Sequence, residues 1–281
     1  MREENLSSYI RAMVLILALL FIFTFAVIMQ FDLKAADYKL SGDLYEKTKN
    51  NYVVQTISVI YAYDENANVS TDSGIIVEKE SGEAEDNWYD GVSVDMDGLQ
   101  NINSDIVGWI YMENEDSISY PILLGNDNDA YIHTTYEKKS ASAGSIFMDA
   151  NNSGDFSDLH TVIYGHNMRD LSMFGKLRYF AIDKDYYNNH KYFQIITADK
   201  KYRYEIFSCK NISANNEIYA GRFTDMTTFP EYVKKNLTHG NYLGKEVDIS
   251  MNDKVVTLST CNGNDLQRFI VCGKLVDTYE Y

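Results

Sequence analysis

The sequence predicts a mainly β protein, a barrel or a sandwich, preceded by a transmembrane helix. Two observations predict this: a series of short strand-like runs separated by Gly, Asn and Asp, and one long apolar run near the N-terminus. Tyrosine occurs 23 times and proline twice, and abundant tyrosine favours strands with half-buried faces. With 281 residues, 45% of them hydrophobic, the chain is long enough to bury a large core.

The apolar run at residues 12–29 has Thr24 as its single polar side chain. Its length just reaches what a helix needs to cross a hydrocarbon core. Arg2 and Arg11 precede the run and Asp32 follows it, which favours a cytoplasmic N-terminus and an exported remainder. We interpret the run as an uncleaved single-pass anchor in the cell membrane. A cleaved signal peptide is the alternative interpretation.

The predicted organisation has a short cytoplasmic tail (1–11), a transmembrane anchor (12–31), an acidic extracellular stalk or linker with a possible N-terminal helix (32–93), and a β-rich domain (94–281). The net charge is −16, and residues 64–105 hold twelve acidic residues against one lysine. We interpret that stretch as a solvated acidic segment. The acidity disfavours nucleic-acid binding, because phosphate contacts need a basic face.

Two helices are expected among the strands of the β-rich domain. One is short and capped by Asp97; the other covers 224–237, where Phe229, Val233 and Leu237 recur at four-residue spacing. The predicted strands are IVGWIYM (106–112), SISYPILL (117–124), GSIFMD (144–149), HTVIYGH (160–166), KYFQIITAD (191–199), KYRYEIFSCKNI (201–212), KVVTLSTC (254–261) and RFIVCGKLV (268–276).

The three cysteines are the first candidates for chemistry. They cannot all pair and show no C-x-x-C spacing, so we expect no disulfide scaffold, no metal and no cofactor. Cys209 and Cys272 lie inside strand-like runs and are predicted to be core residues. Cys261 ends such a run and opens a polar turn, which would expose its sulfur. The residues alone leave two interpretations of Cys261 open, a nucleophile and a buried small hydrophobe.

A nucleophilic cysteine needs a nearby base or cation to ionise. Among the histidines, His166 is the best candidate because it follows the strand-like TVIYG and precedes the polar NMRD. Arg268 comes seven residues after Cys261, so a tight connection between antiparallel strands would bring the two together, and its guanidinium suits an oxyanion. The alternatives are a hydrogen-bonded surface histidine and a surface ion pair between Arg268 and Asp265.

Several of these motifs together resemble the sortase family. TLSTC followed by an arginine at the start of the next strand is similar to the sortase signature, and YGHNM is similar to its histidine segment. Residues 99–149, the run MFGKLRYF (173–180) and the helix at 224–237 resemble class B sortases in particular. The resemblance covers about 94–281 and implies an eight-stranded sortase-type β-barrel with inserted helices, on the outer face of a Gram-positive membrane.

The resemblance also implies a reaction and a set of site residues. The enzyme would cleave a C-terminal sorting signal after Thr, hold the Thr carbonyl as a thioester on Cys261, and pass it to an amine. His166 would transfer the protons and Arg268 would bind the oxyanion, with both Cys261 and His166 near their ordinary pKa values. The residues expected to line the substrate groove are Asn128, Ile132, Tyr164, Ser259 and Thr260.

The implied partners are secreted proteins with NPxTx-, LPxTG- or SPxTG-like motifs, a cell-wall peptidoglycan precursor amine and membrane lipid. One alternative enzyme is a sortase that polymerises pilin and uses a lysine side chain as the acceptor. Another is an L,D-transpeptidase, whose cysteine usually follows His-Gly within a few residues, and no His-Gly precedes Cys261 in this way. A non-catalytic membrane-tethered binding module is the alternative from another class. The connection NGNDLQ (262–267) is short beside some class B members, which affects the expected reach of Arg268.

Overall fold

The computed structural model describes residues 2–55, 87–240, 242–261 and 266–281. The helices are α1 (Arg2–Tyr52), α2 (Met96–Ile102), α3 (Tyr179–Ile182), α4 (Tyr186–Asn189) and α5 (Phe229–Asn236), with 3₁₀ turns at Gly175–Arg178 and Glu217–Tyr219. The strands are β1 (Val53–Gln55), β2 (Val92–Val94), β3 (Ile106–Met112), β4 (Glu115–Leu124), β5 (Ile146–Met148), β6 (His160–Tyr164), β7 (Tyr192–Ile196), β8 (Lys200–Ser213), β9 (Leu243–Gly244), β10 (Val255–Cys261) and β11 (Gln267–Glu280).

Eight strands close into a barrel in the order β11-β10-β6-β5-β4-β3-β7-β8, and β8 pairs back with β11. The short strand β9 pairs with β8 outside this ring. Each of the eight runs predicted from the sequence contributes one barrel strand, which confirms the predicted eight-stranded barrel. Closure leaves no open sheet edge within the ring, because β8 and β11 are both long enough to pair over most of their length.

The main core lies inside the barrel, where Trp109, Phe193 and Tyr204 are almost completely buried. A smaller apolar cluster lies outside, between β8, β10, β11 and helix α5. Helix α5 contributes Phe229 and Val233 to this cluster, and both side chains are fully buried. The four-residue spacing seen in the sequence therefore marks the face that α5 packs onto the barrel.

Helix α1 runs from the predicted anchor into the predicted stalk, for which a possible N-terminal helix was expected. It is continuous from Arg2 to Tyr52, and among the described helices it is the one long and apolar enough to cross a membrane. Its apolar run is exposed, whereas Tyr45 and Thr48 are buried against the barrel. The hydroxyl of Tyr45 donates to the carbonyl oxygen of Gly144 at 2.6 Å. Part of the predicted stalk thus packs on the β-rich domain.

The residues that precede and follow the segment 56–86 are paired with each other. Strand β1, which directly follows α1, pairs antiparallel with β2, and the Trp88 indole donates to Asp277 of β11 at 2.8 Å. Residues 56–86, which contain most of the predicted acidic segment, lie outside the described residues. Helix α2 begins at Met96, and its cap is Asp95, which accepts from the Gly98 backbone amide at 2.8 Å. The predicted cap at Asp97 was wrong by two residues.

Candidate active site

Two parallel neighbours in the barrel, β6 and β10, bring His166 and Cys261 to the same end. Their ladder runs from His160 opposite Val255 to Tyr164 opposite Ser259, and the Gly165 amide then donates to the Ser259 carbonyl at 3.1 Å. Continuing the same register by two residues places His166 level with Cys261. Gly165 is required in between, because a Cβ there would lie 2.4 Å from Ile146 and 2.7 Å from Phe174.

Antiparallel pairing of β10 with β11 brings in the arginine. Cys261 lies directly opposite Arg268, with Thr260 opposite Phe269 one position further into the ladder. Side chains of directly opposed residues point to the same face of a sheet, so the short connection pairs the two residues predicted to work together. Asp265, the alternative ion-pair partner, lies outside the described residues.

A cavity of about 320 Å³ opens at this end of the barrel, a volume at the lower end of the range for small-molecule sites. All the site residues predicted from the sequence line it: Asn128, Ile132, Tyr164, His166, Ser259, Thr260, Cys261 and Arg268. The cavity is also lined by Asp129, Phe147, Gly165, Ala214 and Tyr219, which were not predicted as site residues. The structure therefore brings residues from separate segments of the chain, between positions 128 and 268, together around one cavity.

Cys261 is the cysteine suited to attack. It is partly exposed, whereas Cys209 and Cys272 are fully buried, as predicted for two core residues. Burial raises the pKa of Cys209 to about 12 and that of Cys272 to about 11, so both stay protonated at neutral pH. Within the described residues, no three His, Cys, Asp or Glu side chains are grouped so that they could hold a metal ion.

The orientation of His166 is set by a backbone carbonyl. Its Nε2 lies 2.7 Å from the carbonyl oxygen of Ile132, and a carbonyl only accepts, so this nitrogen carries the proton. Nδ1 is then the nitrogen left to exchange protons when the ring is neutral. The ring of His133 stacks on His166 at a centroid distance of 5.5 Å and an interplanar angle of 13°.

This environment lowers the pKa of His166 below its ordinary value of 6.5. Burial is the main cause and the neighbouring His133 adds to it, while the bond to the Ile132 carbonyl opposes both. The expectation of a near-ordinary pKa is therefore corrected for the histidine. At neutral pH the imidazolium form of His166 is a minority.

We expect the acid limb of the kcat/KM profile below pH 6.5, because the fully protonated site has neither thiolate nor base. The electrostatic interaction with His133 lowers the pKa of His166, so we expect His133→Asn to raise that pKa. The acid limb should then move toward higher pH. The profile is measured with a fluorogenic peptide substrate. His239→Asn, a change at an exposed histidine, is the control and leaves the limb in place. An acid limb that does not respond to His133→Asn would contradict the contribution of the stacked ring.

A buried carboxylate organises the wall opposite the cysteine. Asp149, 4% exposed, accepts through Oδ2 from the Tyr164 hydroxyl at 2.7 Å and from the Asn128 amide at 3.1 Å. The side-chain oxygen Oδ1 of Asn128 in turn accepts from the Ala150 backbone amide at 2.8 Å. Burial, followed by this carboxylate, raises the pKa of Tyr164. Tyr164 therefore remains a phenol, and both groove side chains are held in one orientation.

The third side of the cavity is formed by Tyr219, whose hydroxyl lies 2.8 Å from Ser259 Oγ. Burial raises the pKa of Tyr219 to about 12, while the positive charge of Arg268 acts in the opposite direction. The charge of Arg268 acts in the same way on Tyr164, so the guanidinium lies near the phenols on both sides of the cavity. Neither Asp149 nor Tyr219 was predicted. Asp149 ends the GSIFMD run, and a charge closing a buried strand was the available signal.

Comparison with known proteins agrees with this geometry. The family described as Sortase domain matches residues 117–276. Sortase B of Listeria monocytogenes is 34% identical over 243 residues, 85% of this chain and 90% of the relative. The sortase B structure from B. anthracis in complex with AAEK1 has a TM-score of 0.64 at 28% identity, covering 86% of this chain and 99% of that chain. A Staphylococcus aureus sortase B–substrate complex has a TM-score of 0.58 at 27% identity, covering 65% and 84%.

A closed barrel that carries a partly exposed cysteine beside a histidine and an arginine, together with these similarities, defines a cysteine transpeptidase, and the chain belongs to the sortase family. The relatives and solved structures named here are sortases B, and within the family the chain is a class B sortase. The predicted sortase-type barrel and the resemblance to class B are thereby confirmed.

Proposed function

We propose that the enzyme cleaves a C-terminal sorting signal after Thr and joins the Thr carbonyl to a cell-wall peptide amine. The observation that carries the proposal is the pairing of Cys261 with Arg268 on adjacent strands, at the strand end that also presents His166. The thiolate of Cys261 attacks the Thr carbonyl carbon, and Arg268 stabilises the resulting oxyanion. The C–N bond then breaks as the His166 imidazolium protonates the leaving amine, leaving a thioester.

In the second half of the reaction an amine attacks the thioester carbon. The C–S bond breaks, the new amide nitrogen gives its proton to His166, and the thiolate returns. We assign substrate binding to the cavity wall of Asn128, Ile132 and Tyr164, and to Ser259 and Thr260 at its base. The fixed Asn128 and Tyr164 suit a peptide held in one extended conformation.

We further propose that α1 anchors the enzyme in the cell membrane by a single span at 12–31, with residues 1–11 in the cytoplasm and the barrel outside. The exposed apolar side chains of that part of the helix support this placement, because in water they would be poorly solvated. Membrane lipid is then a permanent partner. The orientation is tested by adding a protease to intact cells from which the wall has been removed. We expect the protease to digest the barrel, and a barrel that is protected from the protease would contradict the proposed orientation.

The function is tested with the full chain in detergent micelles and peptides carrying NPxTx-, LPxTG- and SPxTG-like motifs. We expect cleavage after Thr of one motif class, and transfer to an added peptide amine detected by mass spectrometry. Chelator should leave the rate unchanged. Efficient transfer to a lysine side chain of a folded partner protein, in preference to a wall peptide, would indicate a pilin-polymerising enzyme. Binding of the peptides without any cleavage would indicate a binding module.

Arg268→Ala should lower kcat by about 10²- to 10³-fold, the range for loss of an oxyanion donor. Arg268→Lys should recover only part of this, since a single ammonium cannot reproduce the fork of a guanidinium. Single-turnover cleavage of the peptide measures the acylation step directly. Arg169→Ala, at an exposed arginine outside the cavity lining, is the matched control. A normal acylation rate in Arg268→Ala would remove the arginine from the reaction.

A further inference from the structure

The ladder between β6 and β10 stops just before the reacting residues. Its last backbone bond joins the Gly165 amide to the Ser259 carbonyl. In a parallel ladder the donors on one strand advance two residues at a time, so the next bond would run from the backbone amide of residue 167 to the carbonyl of Cys261.

The side chain of Asn167 occupies the place of that bond. Its Nδ2 donates to the Cys261 carbonyl oxygen at 2.9 Å, so the same residue reaches the same acceptor through its amide side chain. Because the acceptor is a carbonyl, the nitrogen and not the oxygen of Asn167 must face it. The contact ties the residue after the histidine to the cysteine itself.

The backbone on either side of Asn167 turns back on itself. Asn167 lies opposite Met173 in an antiparallel bridge, in which the Phe174 amide donates to the His166 carbonyl at 3.0 Å. Met173 has a left-handed φ of 53° and its amide donates to the Tyr120 hydroxyl at 3.0 Å. A non-glycine residue in that conformation is held there by its surroundings. The turn after His166 is thus pinned to the barrel.

We propose that Asn167 is a positioning residue that extends the β6–β10 ladder by one side-chain bond and so sets the separation of Cys261 and His166. The inference rests on the proposed transpeptidase chemistry but adds a residue outside the cavity lining. Without the bond, the hydrogen-bonded ladder between β6 and β10 would end at the Gly165–Ser259 bond. Proton transfer between the leaving amine and His166 is sensitive to displacements of about 1 Å.

The test compares Asn167→Asp and Asn167→Ala with wild type as the full chain in detergent. Aspartate has the same shape but no N–H, and its carboxylate faces a carbonyl. We expect kcat for peptide cleavage to fall about 10- to 100-fold in both variants, with KM within about twofold. Asn188→Asp, the same chemical change at an exposed position of α4, should leave both constants unchanged. Thermal unfolding and titration of active thiol correct each rate for folded enzyme.

A second readout does not depend on the peptide. Alkylation of Cys261 by iodoacetamide, followed by mass spectrometry from pH 5 to 9, reports the thiolate and its imidazolium partner. We expect the Asn167 variants to lose about fivefold in rate at the acid end and to match wild type at the alkaline end. Wild-type kcat and an unchanged alkylation profile in both variants would overturn the inference. A wild-type enzyme that cleaves no peptide, yet shows an Asn167-dependent alkylation profile, would instead overturn the proposed function.

Discussion

Cys261→Ala is expected to abolish peptide cleavage and transfer, with a loss of at least about 10³-fold in kcat. The reason is that the thioester bond forms at this sulfur and no other described cysteine reaches the cavity. The fold should be unaffected, because Cys261 is partly exposed at the end of β10 and its Sγ fills no core position. Far-UV circular dichroism and thermal unfolding check the fold, while the fluorogenic peptide measures turnover.

The matched control is Cys209→Ala, which removes a thiol of the same chemistry from the barrel core. This variant should unfold at a lower temperature, because it leaves a small cavity where the buried thiol contacts the Phe180 carbonyl. Its turnover per folded molecule should stay within about twofold of wild type, because Cys209 does not line the active-site cavity. Iodoacetamide should label Cys261 in the native wild type and leave Cys209 and Cys272 unlabelled. Retained cleavage by Cys261→Ala would exclude the thioester mechanism.

Much of the barrel could be read from the sequence because each strand carries its own signal. The runs 106–112 and 254–261 are rich in β-branched and aromatic residues and end at turn residues, so their existence does not depend on partners distant in the chain. The cysteine could likewise be located, since a strand end exposes its last side chain. The closed eight-stranded barrel came from the family resemblance, because the runs themselves fit a barrel or a sandwich.

The features missed depend on contacts between distant segments. Helix α1 packs on the barrel through Tyr45 and Thr48, and no local pattern shows the site that buries them. His133 lies beside His166 only because the 125–145 connection folds across the strand end. Asp149 is buried only because Tyr164 and Asn128 both donate to it. In each case the position of the residue depends on a contact with a residue distant in the sequence, and the local sequence does not show that contact.

Replacement of His166 by Ala is expected to lower kcat/KM for peptide cleavage by about 10³-fold, near the middle of the range for general acid–base catalysis. An amide nitrogen is a poor leaving group unless it is protonated as the C–N bond breaks. In the structure His166 holds its Nε2 proton on the Ile132 carbonyl, which directs Nδ1 to this transfer. Removing the ring therefore removes the acid and leaves the nucleophile and Arg268 in place.

The role of His166 as acid is separated from any role in shaping the site by changing the leaving group. An aryl ester of the same sorting peptide needs no proton on its leaving oxygen, so Cys261 can acylate from it without an acid. We expect the ratio of ester to amide cleavage to rise at least about tenfold in His166→Ala, while Cys261→Ala loses both reactions. Burst kinetics with the ester measure acylation in each variant. An equal loss of ester and amide cleavage in His166→Ala would mean that the ring supports the geometry of Cys261 and does not deliver the proton.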